Sequence, residues 1–130
     1  VSNPSEEDVL EFAHRMFDLA RSGSGDELAA YVDAGLPVDM SNDKGDTLLM
    51  LATYHDHPDT VRVLLSRGAD AARVNNRGQT ALAAAVFRRS PESVSVLLSA
   101  GADPTAGSPS AFDMARHFNL PEMLELLDGE

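Results

Sequence analysis

The sequence predicts an all-α solenoid: four helix-turn-helix repeats stacked side by side, with short finger turns between them. Three observations predict it. First, DKGDTLLMLATYHDHPDTVRVLLSRGAD at 43–70 lies over NRGQTALAAAVFRRSPESVSVLLSAGAD at 76–103 without a gap. Gly45 meets Gly78, Thr47 meets Thr80, Pro58 meets Pro91 and Gly68 meets Gly101, each pair 33 residues apart. A fixed period of that size marks a repeat array, in which each unit buries its apolar face against its neighbours. Second, apolar residues within each unit recur at helical spacing rather than in alternation. Third, 43% hydrophobic residues with only 5% aromatics supply a core of Leu, Val, Ala and Met. Such a composition excludes wholesale disorder.

Taken in order, residues 1–4 read as a tail and 5–128 as one domain, with repeats at about 5–42, 43–75, 76–107 and 108–128. The first repeat opens with Ser5 followed by Asp8, the pattern of a capping box. Val9, Phe12, Ala13, Met16, Phe17 and Ala20 then form an apolar stripe on a long helix. Gly35 lies one period before Gly68, and Leu28 one period before Val61. In the two clear repeats, Thr47 and Thr80 are placed to cap the first helix through their side-chain oxygens. Pro58 and Pro91 are placed at the first position of the second helix, where a missing N–H costs nothing. Asp59 and Glu92 follow, complementing the positive end of the helix dipole. Gly68 and Gly101 end the second helix, and a connector follows. The fourth repeat matches the third at an interval of 30, so Ser110 takes the place of Thr80 and Pro121 that of Pro91. Its connector is three residues shorter, which predicts a truncated last finger.

Charge narrows the partners. Ten Lys and Arg against 21 Asp and Glu give a net charge of −11. Nucleic acid and anionic membrane both demand basic surface, so neither is expected. Cysteine is absent, which removes disulfides, thiolate metal sites and a cysteine nucleophile. No apolar run reaches the length of a membrane span and no signal peptide is legible. A cytoplasmic location is the expectation, with a trimmed leader before Val1 left open. The sequence holds no GxSxG elbow, P-loop or HExxH, so catalysis is not expected, nor is a cofactor.

The repeat resembles that of the ankyrin family, in its small stand-alone bacterial form. GDTLLMLA and GQTALAAA resemble the family's G-x-T-P-L-H-x-A, and VRVLLSRGAD and VSVLLSAGAD its V-x-L-L-L-x-x-G-A-D. The likeness is closest over 43–103 and looser over about 11–42 and 108–128. Leu48 and Ala81 stand where the family has proline, and Met50 and Ala83 where it has histidine. The family's threonine-histidine network is therefore expected to be missing, leaving threonine mainly as a cap. That forgoes about 0.5–1.5 kcal/mol per lost hydrogen bond. The resemblance implies a non-catalytic scaffold, monomeric by default, that binds a protein partner in the groove formed by first helices and finger turns. A regulatory or accessory role follows from the same resemblance.

The same register sorts the stretch YHDHPD at 54–59. His57 falls just before the second helix and reads as a cap and packing residue. Asp56 shares its place with Gly23, Asn119 and Arg89, where a left-handed turn is expected; three of these residue types suit one and Arg89 does not. Tyr54-His55, Phe87-Arg88 and His117-Phe118 fall at the end of the first helix, on the groove side. Lys44 and Asp46 on one finger, with Arg77 and Gln79 on the next, complete the candidate surface. Arg21, Lys44, Arg77, Arg88 and Arg89, half of the basic residues, are all expected at groove or fingertip positions. An acidic protein surface or tail is the partner they fit. The rival reading is a regulator that binds a metal or small ligand through His55, His117 and the groove aromatics. An HxH pair without further ligands gives that reading little specificity.

Overall fold

The computed structural model describes residues 5–129. The tail expected at 1–4 lies outside them, as does Glu130. Among the described residues there are eight helices: α1 (Glu6–Ser22), α2 (Gly25–Asp33), α3 (Leu48–Tyr54), α4 (Pro58–Ser66), α5 (Ala81–Phe87), α6 (Pro91–Ser99), α7 (Ala111–His117) and α8 (Pro121–Leu127). The odd-numbered helices stack in one layer, α1 on α3 on α5 on α7, and the even-numbered helices in a second. Each helix also packs against its partner in the same unit. The chain is an all-α solenoid whose packing runs between nearest neighbours.

Local chemistry sets the helix boundaries. The Thr47 and Thr80 hydroxyls accept from the backbone N–H of Met50 and Ala83 at 3.2 and 3.1 Å. Ser5 and Ser110 form full capping boxes with Asp8 and Asp113. Pro58, Pro91 and Pro121 each open their helix. Burial follows the period: Met16, Leu49 and Leu82 form one row, Leu28, Val61 and Val94 another, Leu64, Leu97 and Leu127 a third, all essentially hidden from water. Each such side chain stabilises the stack by about 1.5–3 kcal/mol.

Two expectations need correction. The apolar stripe on α1 is covered only in its second half. Met16, Phe17 and Ala20 are buried, whereas Val9 and Phe12 are 54% and 41% exposed. The helix has 17 residues against 7 in α3, so its first turns project past the neighbour that would cover them. Phe12 turns instead to Tyr31, edge to face at 5.5 Å. His57, for its part, stands at the cap position of α4 but its side chain caps nothing. Its Nε2 donates to the Arg21 carbonyl at 2.8 Å, and a Cβ added at Gly23 would sit 2.5 Å from its Nδ1. The imidazole therefore ties the second repeat to the first.

Three positions at the turns within units are left-handed without being glycine: Asp56 at φ 63, Arg89 at φ 55 and Asn119 at φ 53.

Candidate functional site

The fingers form through asparagine. Asn42 Oδ1 accepts from the N–H groups of Lys44 and Asp46, both at 3.0 Å, and Asn75 Oδ1 from those of Arg77 and Gln79, both at 2.9 Å. Antiparallel bridges Ser41–Thr47 and Val74–Thr80 close each finger. The third bridge joins Gly107 to Ser110, a tighter closure that matches the truncated turn expected there. The fingers are also tied to one another. Asn76 N–H donates to the Lys44 carbonyl at 3.0 Å, and Ser108 N–H to the Gly78 carbonyl at 2.9 Å. Asn75 Nδ2 donates to Asp46 Oδ1 at 2.7 Å and to Gln79 Oε1 at 2.8 Å. Lys44 and Arg77 thus project from a braced backbone.

Between these fingers and the first helices lies a cavity of about 400 Å³. Seven of the ten candidates line it: Lys44, Asp46, Tyr54, His55, Arg77, Gln79 and Phe87. Arg21 joins them from the end of α1. Arg88, His117 and Phe118 do not line the cavity. The floor is apolar, with Met50, Leu51, Ala83, Ala84 and Met114 among its residues. Met50 and Ala83 occupy the positions where the family pattern has histidine, so an apolar surface stands there instead. Asn42 and Asn75 were not among the candidates. Their signal was present in NDKGD and NNRGQ, where asparagine opens both fingers at the repeat interval.

An aromatic ladder runs past the cavity. Tyr54 and Phe87 are parallel within 3° at 6.1 Å between centroids. Phe118 meets the edge of Phe87 at 5.9 Å, and His117 meets Phe118 at 4.8 Å. Tyr54, Phe87 and Phe118 remain 51%, 40% and 39% exposed. The rings contact one another and still present a face to solvent, so packing between neighbouring helices and availability to a partner coexist.

Charge is distributed unevenly. Arg15, Arg21, Arg62, Arg67, Arg73 and Arg116 pair with carboxylates. Arg67 reaches Asp33 across repeats with two contacts, at 3.0 and 3.2 Å, and Arg62 reaches Glu92 at 3.1 Å. Among the described residues, no carboxylate lies within ion-pair distance of the other four cations, Lys44, Arg77, Arg88 and Arg89. All four belong to fingers or to the α5–α6 turn. The cavity lining holds three cations, Arg21, Lys44 and Arg77, against the single carboxylate of Asp46. His55 feels this field. Partial burial first, then its neighbours Arg21, His57 and Arg88, hold its imidazole below the ordinary histidine value.

The metal reading finds no ligand set: among the described residues, no three His, Asp or Glu side chains are grouped to hold an ion. His55 lines the cavity and His117 does not, so the two histidines are not brought together there. Among the described residues, no helix is long and apolar enough to cross a membrane.

Comparison with known proteins agrees with the geometry. A Pseudomonas aeruginosa protein named as an ankyrin repeat protein is 52% identical over 56 residues, 43% of this chain and 33% of that protein. The matched stretch thus spans about a third of that relative's length. A model of the family described as Ankyrin repeats (3 copies) matches residues 16–108, well over half of the chain. The helix pairs, the braced fingers and this match together place the chain in the ankyrin-repeat family.

Proposed function

We propose that the chain is a non-catalytic protein-interaction module that engages an acidic protein surface or tail through its groove. Lys44, Arg77 and Arg88 attract carboxylates, Tyr54 and Phe87 bury apolar side chains of the partner, and Asp46 and Gln79 give polar direction. His55, His117 and Phe118 extend the surface toward the fourth repeat. The module acts as a monomer, in the cytoplasm, as a regulator or accessory of the protein it binds.

One observation carries this reading. In a chain of net charge −11, the four cations that pair with no carboxylate among the described residues fall at this groove: Lys44 and Arg77 line the cavity with Tyr54 and Phe87, and Arg88 and Arg89 directly follow Phe87. Elsewhere the acidic surface neutralises its basic residues. Cations kept unpaired beside exposed rings are what steering and anchoring an acidic partner require.

The test is affinity for a partner recovered on the immobilised chain, compared across Tyr54→Ala, Phe87→Ala and Arg88→Glu. Each is expected to weaken binding by at least about 1 kcal/mol, or roughly fivefold. Unchanged affinity in all three contradicts the reading.

A further inference from the structure

Arg89 occupies a backbone conformation that suits it poorly. Its φ is 55, and its equivalents in the other repeats are Gly23, Asp56 and Asn119 at φ 76, 63 and 53. Glycine has no Cβ to clash there, and Asp and Asn compensate with short polar side chains. Arginine does neither. Its side chain is exposed, and among the described residues it makes no ion pair, although the chain carries 21 carboxylates. Arg88 beside it is in the same position. Phe87, immediately before them, stacks on Tyr54 and takes the edge contact of Phe118.

From these observations we infer that Arg89 is a partner-contacting residue, held in a strained turn because its guanidinium is used outside the chain. Together with Arg88 it forms a second cationic anchor. The fingers lie at the start of α5 and this turn at its end, so a helix of 7 residues separates the two sets. That is about 10 Å along its axis. The aromatic ladder lies at the turn end. The partner segment that fits carries carboxylates at both ends and an apolar side chain set among them, near the Arg88-Arg89 end. This rests on the groove reading and adds the partner's pattern to it.

The probe is a labelled peptide of alternating aspartate and glutamate with one central phenylalanine, followed by fluorescence anisotropy. The same peptide with alanine at the centre is the control. The phenylalanine peptide is expected to bind the wild-type chain more tightly than the alanine peptide. Arg89→Asn is expected to weaken it about threefold to fivefold while raising the melting temperature by roughly 2–5 °C, because asparagine relieves the turn. Arg89→Lys, which keeps both charge and strain, is expected to stay near wild type in both. Unchanged affinity in Arg89→Asn overturns the inference, as does a melting temperature that fails to rise. If Arg77→Glu weakens binding and Arg89→Asn does not, the groove reading stands and the role of Arg89 falls. If neither peptide binds the wild-type chain, both fall.

Discussion

At His57 the imidazole Nε2 donates to the Arg21 carbonyl while the ring covers Gly23. Two residues that are 34 apart in sequence, His57 and Gly23, are thereby coupled. His57→Ala is expected to cost about 1–3 kcal/mol in urea denaturation, through the lost bond and the space it leaves. Gly23→Ala is expected to be less harmful in that background than alone, because its methyl no longer meets the ring; strictly additive effects contradict the coupling. Ser93 offers the opposite case. Its hydroxyl is buried and, among the described residues, has no hydrogen-bond partner. Ser93→Ala should hold or raise stability, by up to about 1 kcal/mol. His55 supplies a pH signature. Its pKa is lowered in the fold, so the unfolded chain takes up the proton first as pH falls from neutral. Its contribution is therefore fully present above the ordinary histidine value and is lost as pH falls toward the folded one. An acidic partner reverses the shift by adding negative charge near the ring. Binding should then take up a proton and tighten as pH falls toward the free-state pKa, with the His55 resonance moving to a higher pKa in the complex. No movement of that resonance argues that the acid lies elsewhere.

Among the elements, the fingers show best why some of the site was hidden in the sequence. That 42–46 and 75–79 are turns was legible from their glycines and their spacing. That Asn75 bridges them was not, because its acceptor Asp46 lies 29 residues away and no local pattern names it. Asn75→Ala removes acceptors for Arg77 and Gln79 as well as the bond to Asp46. Faster amide exchange at Arg77 and Gln79, with a loss of about 1–2 kcal/mol, is the expected result. The helices were easier to read. Caps, first-position prolines and closing glycines act within a few residues, so Thr47, Pro58 and Gly68 announced their roles locally. The stripe on α1 misled at Val9 and Phe12. Amphipathic spacing is the same whether or not a neighbour is long enough to cover it.

For the whole molecule, nearest-neighbour packing gives two unlike faces. On the second-helix side, Arg67–Asp33 and Arg62–Glu92 bridge successive repeats and hold charge in balance. On the first-helix side, Lys44 and Arg77 at the fingers and Arg88 and Arg89 after Phe87 carry charge with no carboxylate partner among the described residues. The repeat register put ten residues on the groove side, of which seven line the cavity and Arg88, His117 and Phe118 do not. It could not say which cations would be neutralised, because ion pairs between repeats depend on rotamers and on the offset of adjacent helices. The central claim is that the unpaired cations, rather than the acidic chain at large, hold the partner. Calorimetric titration of a captured partner against Arg77→Glu/Arg88→Glu, beside Arg62→Glu/Arg116→Glu as the ion-paired control, tests it most directly. Both pairs change net charge equally. Binding is expected to weaken at least about tenfold for the first pair and to stay near wild type for the second. Equal losses in the two would contradict it.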